Sequence, residues 1–191
     1  MDTLQLVDDE RVRVYTLKKG INDTILYDEK AVVARFGFLP ALIPDWKGLR
    51  GDPSDNIPGV PGIGGVTATK LIQEFDTLEN LYKKIAILLN CYIAKDNITI
   101  QQYNNEVVEK IAGELKLKPR IVKLLLENQD QAFLSQKLAT IHKEVPIEFD
   151  LEKSKWGEYD KDKLKDFFER MQFRSLLKRF AAEQQEEVKT E

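Results

Sequence analysis

Two aspartates three residues apart stand at the start of a segment rich in glycine and proline. Asp52 and Asp55 fall in a turn, so both carboxylates can face one point. Hard divalent cations bind several oxygen ligands, and two or three carboxylates usually suffice when waters and phosphates complete the shell. Two such ions about 4 Å apart would bracket an in-line attack on a phosphodiester. The alternative is that both side chains only cap neighbouring turns, as aspartate often does.

A glycine turn and the start of a helix follow these aspartates. A Gly-x-Gly turn adopts backbone conformations that other residues resist, and it lets a ligand approach closely. The first N–H groups of a helix lack internal acceptors and the helix dipole is positive there, so they can bind a phosphate oxygen. Carbonyls of the turn could hold a monovalent cation such as K⁺ against that phosphate. The residues predicted to contact a phosphate backbone are Val60, Gly62, Ile63, Gly64, Thr67, Thr69 and Lys70.

Contacts of this kind read the nucleic-acid backbone and not the bases, so we predict binding that depends on shape and not on sequence. The alternative is that the turn is only a stiff connection between two packed helices. A lone Gly-x-Gly would favour that alternative. The acidic prefix Gly-Asp-Pro-Ser-Asp-Asn-Ile-Pro at residues 51–58 favours binding.

Composition sets only broad limits. The 191 residues are 42% hydrophobic and 32% charged, typical of a soluble globular protein of one domain, with or without an appendage. No apolar run is long enough to span a membrane. The single cysteine, Cys91, excludes a disulfide framework within the chain and favours a reducing, cytoplasmic compartment. The net charge of −3 argues mildly against indiscriminate nucleic-acid binding, an objection that weakens if carboxylates hold metal ions.

Periodicity predicts a mostly α-helical fold with a short strand pair near the N-terminus, over Arg11–Leu17 and Thr24–Tyr27. Asp28 and Gly37 are suited to begin and end a helix. Asp76 and Glu79 have the spacing of a capping box. Further helices are expected from Pro40 to Gly51, through Leu71 to Phe75, over about 100–115, from Pro119, over Gln131–Leu138 and from Asp160, with an extended edge segment over Val145–Phe149.

The run Leu-Arg-Gly-Asp-Pro-Ser-Asp-Asn-Ile-Pro-Gly-Val-Pro-Gly-Ile-Gly at residues 49–64 closely resembles the helix–three-turn–helix of bacterial 5′–3′ exonucleases. These form the N-terminal domain of DNA polymerase I, exist also as separate proteins and belong to the flap endonuclease superfamily. Weaker matches flank the motif, among them residues 2–7, 35–37, 138–141, 145–147 and 167–177. The resemblance covers nearly the whole chain.

The resemblance implies a nuclease that cleaves phosphodiesters near 5′ ends and flaps with Mg²⁺ or Mn²⁺ in DNA replication and repair. Asp2 falls on the second aspartate of the family's Gly-Asp-x-Asp motif, and Asp52 and Asp55 fall on two later metal-site aspartates. The sheet-bearing half with the remaining metal ligands does not match this chain. Gly65-Val66 also replaces the usual Glu-Lys, which removes a phosphate-binding lysine. The chain is therefore expected to be the C-terminal portion of a 5′ nuclease fold.

We expect residues 1–38 to be the edge of the sheet domain, 39–180 the helical domain with its helix–three-turn–helix at about 40–76, and 181–191 a charged tail or linker. An apolar face is expected around Leu4 and Leu6. Three functions stay open. The chain is the DNA-binding portion of a metal-dependent 5′ nuclease with an incomplete metal site, or it is a duplex-binding module that does not cut. The third is a degenerate remnant whose helices only scaffold a partner. Expected partners are duplex DNA with a 5′ flap, nick or end, and the matching nuclease half or a DNA polymerase. A bacterial, nucleoid-associated location is expected.

Overall fold

The computed structural model describes residues 1–19, 22–96, 105–154 and 159–180 of the chain. The chain divides into two compact units, one over Met1–Lys143 and the other from Glu144 onward. Residues 1–38 therefore share a unit with the helices that follow them. Within the described segments, no helix combines the length and the apolar character that a membrane crossing needs. The predicted tail at 181–191 lies outside the described residues.

An antiparallel strand pair occupies the start of the first unit. Strand β1 covers Val14–Lys19 and strand β2 covers Asp23–Tyr27, with Val14 opposite Tyr27. The pair confirms the predicted strands, but β1 begins three residues later than expected. Asp8 causes this shift, because its backbone pairs with Val12 in an isolated bridge and its carboxylate binds the Arg11 side chain at 2.8 Å. This closes a tight turn where the strand was predicted to start.

Seven α-helices lie in the described part of the first unit, as the periodicity predicted. They are α1 (Glu29–Phe36), α2 (Ile43–Arg50), α3 (Gly65–Phe75), α4 (Leu78–Asp96), α5 (Asn105–Leu115), α6 (Pro119–Glu127) and α7 (Gln129–Ala139). Asp28 caps α1 by accepting the N–H of Ala31 at 2.7 Å, and Gly37 ends it in the left-handed conformation. Short 3-10 turns at Asp2–Leu6, Pro40–Leu42 and Pro53–Asp55 connect the elements. The fold is mostly α, as predicted.

Helix α2 is the centre of the first unit. Every residue from Ile43 to Leu49 is buried, and the helix packs on α3, α4 and α7. Gly48 permits the closest of these contacts, because a Cβ there would lie 3.0 Å from the carbonyl oxygen of Ala132 in α7. Around α2, the core is built from the apolar faces of the other helices, with Leu71, Ile72, Leu78, Leu81, Ile85, Ile111 and Leu125 fully buried.

Three sequence-based expectations need correction. Asp76 does not cap α4; Thr77 does, since its hydroxyl accepts the N–H of Asn80 at 3.1 Å. Val145–Phe149 belongs to no strand and is exposed. Leu4 is fully buried, whereas Tyr15, Leu17 and Leu26 of the strand pair are exposed.

The second unit contains helix α8 (Lys161–Arg170) and a further helical stretch over 174–180. Asp160 caps α8 as predicted, because its carboxylate accepts the N–H groups of Asp162 and Lys163. Phe168, Phe173 and Phe180 pack against one another with ring centroids 6.2 to 6.3 Å apart. These aromatic contacts hold the two helical stretches together.

A buried carboxylate on α2 connects three helices. Oδ1 of Asp45 accepts the N–H of Leu78 at 2.8 Å and Nε2 of Gln136 at 2.9 Å. Burial raises the pKa of Asp45, and the hydrogen bonds offset only part of that effect. Asp45 thus orients α4 and α7 on α2 while carrying a charge that is costly to bury.

Replacing Asp45 with asparagine is expected to raise the free energy of unfolding at pH 7, because the amide oxygen can accept both hydrogen bonds without a buried charge. The pKa of Asp45 is higher in the folded state than in the unfolded state, so ionisation costs stability. That cost is absent below the unfolded pKa and complete above the folded one. Urea unfolding from pH 3 to 7 should therefore show the advantage of Asp45→Asn growing with pH. A difference that does not change with pH would contradict this account.

Candidate metal and DNA-binding site

The segment between α2 and α3 is held by contacts between backbone atoms. Gly51 ends α2 with φ of +76°, and Gly59 has φ of +63°. A Cβ on Gly59 would lie 2.2 Å from the nitrogen of Gly51, so the two glycines meet backbone to backbone. Asp52 and Ile57 exchange N–H···O bonds of 2.8 and 2.9 Å across the loop. The loop is therefore a rigid ring that fixes Asp52 at the end of α2.

Three carboxylates converge at this ring. One oxygen each from Asp2, Asp52 and Asp55 lies within 4.8 Å of the other two. Asp2 comes from the first 3-10 turn, and the other two come from the ring. Asp52 also accepts the N–H and the hydroxyl of Ser54, at 3.1 and 2.6 Å. It thus performs both tasks that the sequence left open, since it caps the turn and joins an acidic cluster.

A buried lysine forms ion pairs with two of these carboxylates. Nζ of Lys47 lies 2.6 Å from Oδ2 of Asp52 and also binds Oδ1 of Asp2. Its side chain is only 3% exposed. Burial alone would raise the pKa of Asp52, but the hydrogen bonds from Lys47 and Ser54 outweigh it and lower that pKa to about 2. Burial would likewise lower the pKa of Lys47, and the two carboxylates raise it instead. Lys47 and Asp52 therefore each stabilise the charged form of the other.

A cavity of about 690 Å³ leads from the carboxylate cluster to α3. Asp52 and Ser54 line one side, and Thr69 and Lys70 of α3 line another. The cavity wall between them contains Trp46, whose Nε1 donates to the Thr69 hydroxyl at 3.0 Å. The structure thus places the predicted metal ligand Asp52 and the predicted phosphate contacts Thr69 and Lys70 around one cavity.

The turn Gly62-Ile63-Gly64, here called the glycine hairpin, does not line the cavity. The side chains of Val60 and Ile63 are buried, so only their backbone groups can reach a ligand. The carbonyl of Val60 accepts the N–H of Ile63 at 3.0 Å within the turn. Gly62 has φ of +85°, and a Cβ there would lie 3.1 Å from Leu124 of α6. Val60, Gly62 and Ile63 therefore shape the turn against α6 and do not line the cavity.

The start of α3 is open. Gly64 occupies the N-cap position, makes no side-chain cap and has nothing within 4 Å of a Cβ placed on it. Its φ of −88° is accessible to any residue. Thr67, half-buried in the first turn, does not line the cavity. Neither backbone conformation nor packing requires glycine at position 64, and the space beside it is open.

Sequence reasoning missed Lys47, Trp46 and Arg50. All three lie on α2, in the eight residues before Asp52. A signal was available, because Lys47 is four residues after Ile43 and so falls on an apolar face of the predicted helix. A lysine on a buried face requires a partner, and the aspartates five and eight residues later were candidates.

The motif resemblance predicted a protein of the 5′ nuclease class. The multi-helix domain, with an acidic cluster beside a glycine hairpin, agrees with that class. A family model described as 5′–3′ exonuclease, C-terminal SAM fold, matches residues 38–162. The chain is 36% identical over 178 residues to DNA polymerase I of Bacillus caldotenax, covering 93% of this chain and 17% of that protein. The chain belongs to the 5′–3′ exonuclease family.

Two other relatives have similar identities. DNA polymerase I of Bacillus subtilis is 34% identical over 185 residues, or 97% of this chain and 18% of that protein. The 5′–3′ exonuclease of Buchnera aphidicola subsp. Baizongia pistaciae is 38% identical over 154 residues, or 81% of this chain and 42% of that protein. The chain thus spans less than half the length of each of these relatives.

Proposed function

We propose that this chain is the duplex-DNA-binding portion of a metal-dependent, structure-specific 5′ nuclease. The observation that carries the proposal is the cavity between the carboxylate cluster and α3, which brings Asp52 and Lys70 to one surface. A phosphate held at Lys70 and the start of α3 would place the same DNA strand beside the cluster. The relatives named DNA polymerase I and 5′–3′ exonuclease support DNA as the polymer.

The carboxylate cluster fits a hard divalent cation. Asp2, Asp52 and Asp55 offer three oxygens close together, and waters with a substrate phosphate would complete six ligands. Mg²⁺ or Mn²⁺ bound here would polarise the phosphodiester. Lys47 competes for the same oxygens and holds Asp2 and Asp52 near each other in the absence of the ion. Among the described residues no fourth carboxylate joins the cluster, so we expect little cleavage by this chain alone.

The hairpin completes the proposed contact with DNA. Val60, Gly62 and Ile63 lie outside the cavity, so the exposed Gly62 and the carbonyls of Val60 and Ile63 would contact a further phosphate of the duplex, directly or through K⁺. Thr67 and Thr69 would add hydroxyl donors. Contacts from these groups to phosphates carry no information about the bases, so the proposed binding is independent of sequence.

Duplex binding is the first test. Fluorescence anisotropy with a labelled nicked duplex should show binding whose affinity falls steeply as KCl rises. Lys70→Gln should weaken binding to duplexes of any sequence alike and reduce the slope of log K against log salt by about 1. Lys123→Gln is a matched control, because this lysine pairs with Glu127 at 3.8 Å and does not line the cavity. Failure of the wild-type chain to bind any duplex would refute the proposal.

Gly64→Asp tests the role of the α3 N-terminus. The new carboxylate should cap the helix and stabilise the chain by up to about 1 kcal/mol, since glycine caps less well than aspartate. It should weaken duplex binding by about tenfold or more, because it occupies the N–H groups and repels phosphate. Gly64→Asn, which caps without charge, should weaken binding less. Thermal unfolding with anisotropy measures both effects, and unchanged affinity in Gly64→Asp would count against this binding mode.

A non-catalytic duplex-binding module is the second candidate function, and the internal pairing of Asp2 and Asp52 with Lys47 favours it. A 5′-labelled flap duplex with added Mn²⁺ separates the two functions. Robust cleavage that disappears in Asp55→Asn would establish nuclease activity for this chain. Binding without cleavage would support the module and leave catalysis to an assembly with further carboxylates.

A further inference from the structure

Arg50, the last residue of α2, extends across the first turn of α3. Its guanidinium carbon lies 4.8 Å from the centroid of the Trp46 ring, a cation–π arrangement. The indole is itself fixed to α3, because its Nε1 donates to the Thr69 hydroxyl at 3.0 Å. Arg50 is therefore held in place by a rigid aromatic surface.

The side chain of Arg50 passes beside Gly65. A Cβ placed on Gly65 would lie 3.7 Å from both Cδ and Nε of Arg50. A large side chain projecting further from that position would meet the arginine. Gly65 is the first residue of α3, so the guanidinium is close to the positive end of the helix.

Arg50 brings a positive charge to the cavity wall. Its side chain is exposed, and no carboxylate in the described segments forms an ion pair with it. Two like charges, the helix end and the guanidinium, are thus brought together without an anion between them. An arrangement that concentrates positive charge at a cavity wall stabilises a bound anion.

The neighbouring position in α3 carries no charge. Val66 is 77% exposed and lines the same cavity as Arg50, Asp52 and Lys70. The side chain of an exposed valine cannot bind phosphate, so in this first turn only backbone N–H groups are available from α3 itself. If a strand crosses this turn, its phosphate needs a cation from elsewhere, and Arg50 is placed to provide it.

We propose that Arg50 is a phosphate ligand at the first turn of α3 and supplies the positive charge that position 66 lacks. The proposal rests on the proposed duplex-binding function. It adds a phosphate contact from Arg50 in the cavity that Lys70 and Asp52 also line. The guanidinium donates hydrogen bonds to one phosphate, and Trp46 positions it.

The test uses the full chain, a labelled nicked duplex and a KCl titration. Arg50→Gln should weaken binding and reduce the slope of log K against log salt by about 1, whereas Lys123→Gln should keep the wild-type slope. The double variant Arg50→Gln with Val66→Lys should restore the slope, because a lysine at position 66 returns a cation to the same turn. Thermal unfolding confirms that each variant is folded.

The outcomes separate the two proposals. Wild-type binding with an unchanged slope in Arg50→Gln would overturn the assignment of Arg50 and leave the duplex-binding function standing. A loss of affinity with unchanged slope and no recovery by Val66→Lys would show that Arg50 only packs against Trp46, which also overturns it. No binding by the wild-type chain would refute the proposed function and this inference with it.

Discussion

Gly59→Ala is expected to cost the first unit several kcal/mol of unfolding free energy. The left-handed backbone at φ of +63° costs a residue with a Cβ about 1–2 kcal/mol. The added Cβ would also lie 2.2 Å from the nitrogen of Gly51 and 2.5 Å from the carbonyl carbon of Arg50. Both are backbone atoms that cannot rotate away, so the ring must open. Overpacking of this kind adds about 1–3 kcal/mol.

The consequences should extend beyond stability. The N–H of Gly59 donates to the buried hydroxyl of Ser135 at 3.0 Å, and its carbonyl accepts Nε2 of Gln131 at 2.6 Å. Opening the ring breaks this attachment to α7 and displaces Asp52. We therefore expect Gly59→Ala to lose duplex binding as well as stability. Its unfolding temperature should also no longer respond to Mn²⁺.

Gly113→Ala is the matched control for this variant. Gly113 lies inside α5, and nothing approaches within 4 Å of a Cβ placed on it. Alanine there should raise the unfolding free energy by about 0.5–1 kcal/mol, because glycine is a poor helix former. Urea unfolding measures both variants. A loss below about 1 kcal/mol in Gly59→Ala would show that the ring is more adaptable than its contacts imply.

Local sequence signals predicted much of the fold. Asp28, Gly37 and Asp160 end or begin helices where their capping chemistry indicated. Long-range contacts decided the cases where prediction failed. Asp76 and Thr77 are both suitable N-cap residues, and Thr77 caps α4 in the structure. Asp45 of α2 accepts the N–H of Leu78 and so helps to fix where α4 begins. Local sequence patterns cannot predict that contact. The helix predicted over about 100–115 is confirmed for Asn105–Leu115, and residues 100–104 lie outside the described part.

For the candidate site, the sequence predicted several of its residues but not how they face one another. The motif placed Asp2, Asp52 and Asp55, and the structure brings these three together from separate parts of the chain. Spacing could not show that the hairpin tip faces α6 while Lys70 and Thr69 face the cavity, since this depends on how α3 packs on α2. Nor could it show the pairing of Lys47 with Asp2. That pairing is a tertiary contact across 45 residues of sequence.

Lys47→Met is expected to destabilise the chain by about 3 kcal/mol or more in the absence of divalent metal. Methionine fills a similar volume, so the loss comes from charge. It leaves Asp52, with a side chain 12% exposed, facing Asp2 without a cation between them. Removing one member of a buried ion pair typically costs about 3–5 kcal/mol because the other charge stays buried. The double variant Lys47→Met with Asp52→Asn removes both charges and should recover most of the loss.

The same variant reports on the proposed metal site. In wild type, a divalent cation competes with the Lys47 ammonium, which binds one oxygen of Asp2 and one of Asp52. Without that competitor, Mn²⁺ should bind more tightly and raise the unfolding temperature of Lys47→Met more than that of wild type, since ligand binding to the folded state stabilises it. Differential scanning fluorimetry with and without Mn²⁺ compares wild type, Lys47→Met and the double variant. Equal Mn²⁺ responses in all three would mean that the ion does not bind at Asp2 and Asp52, and the metal assignment would then be wrong.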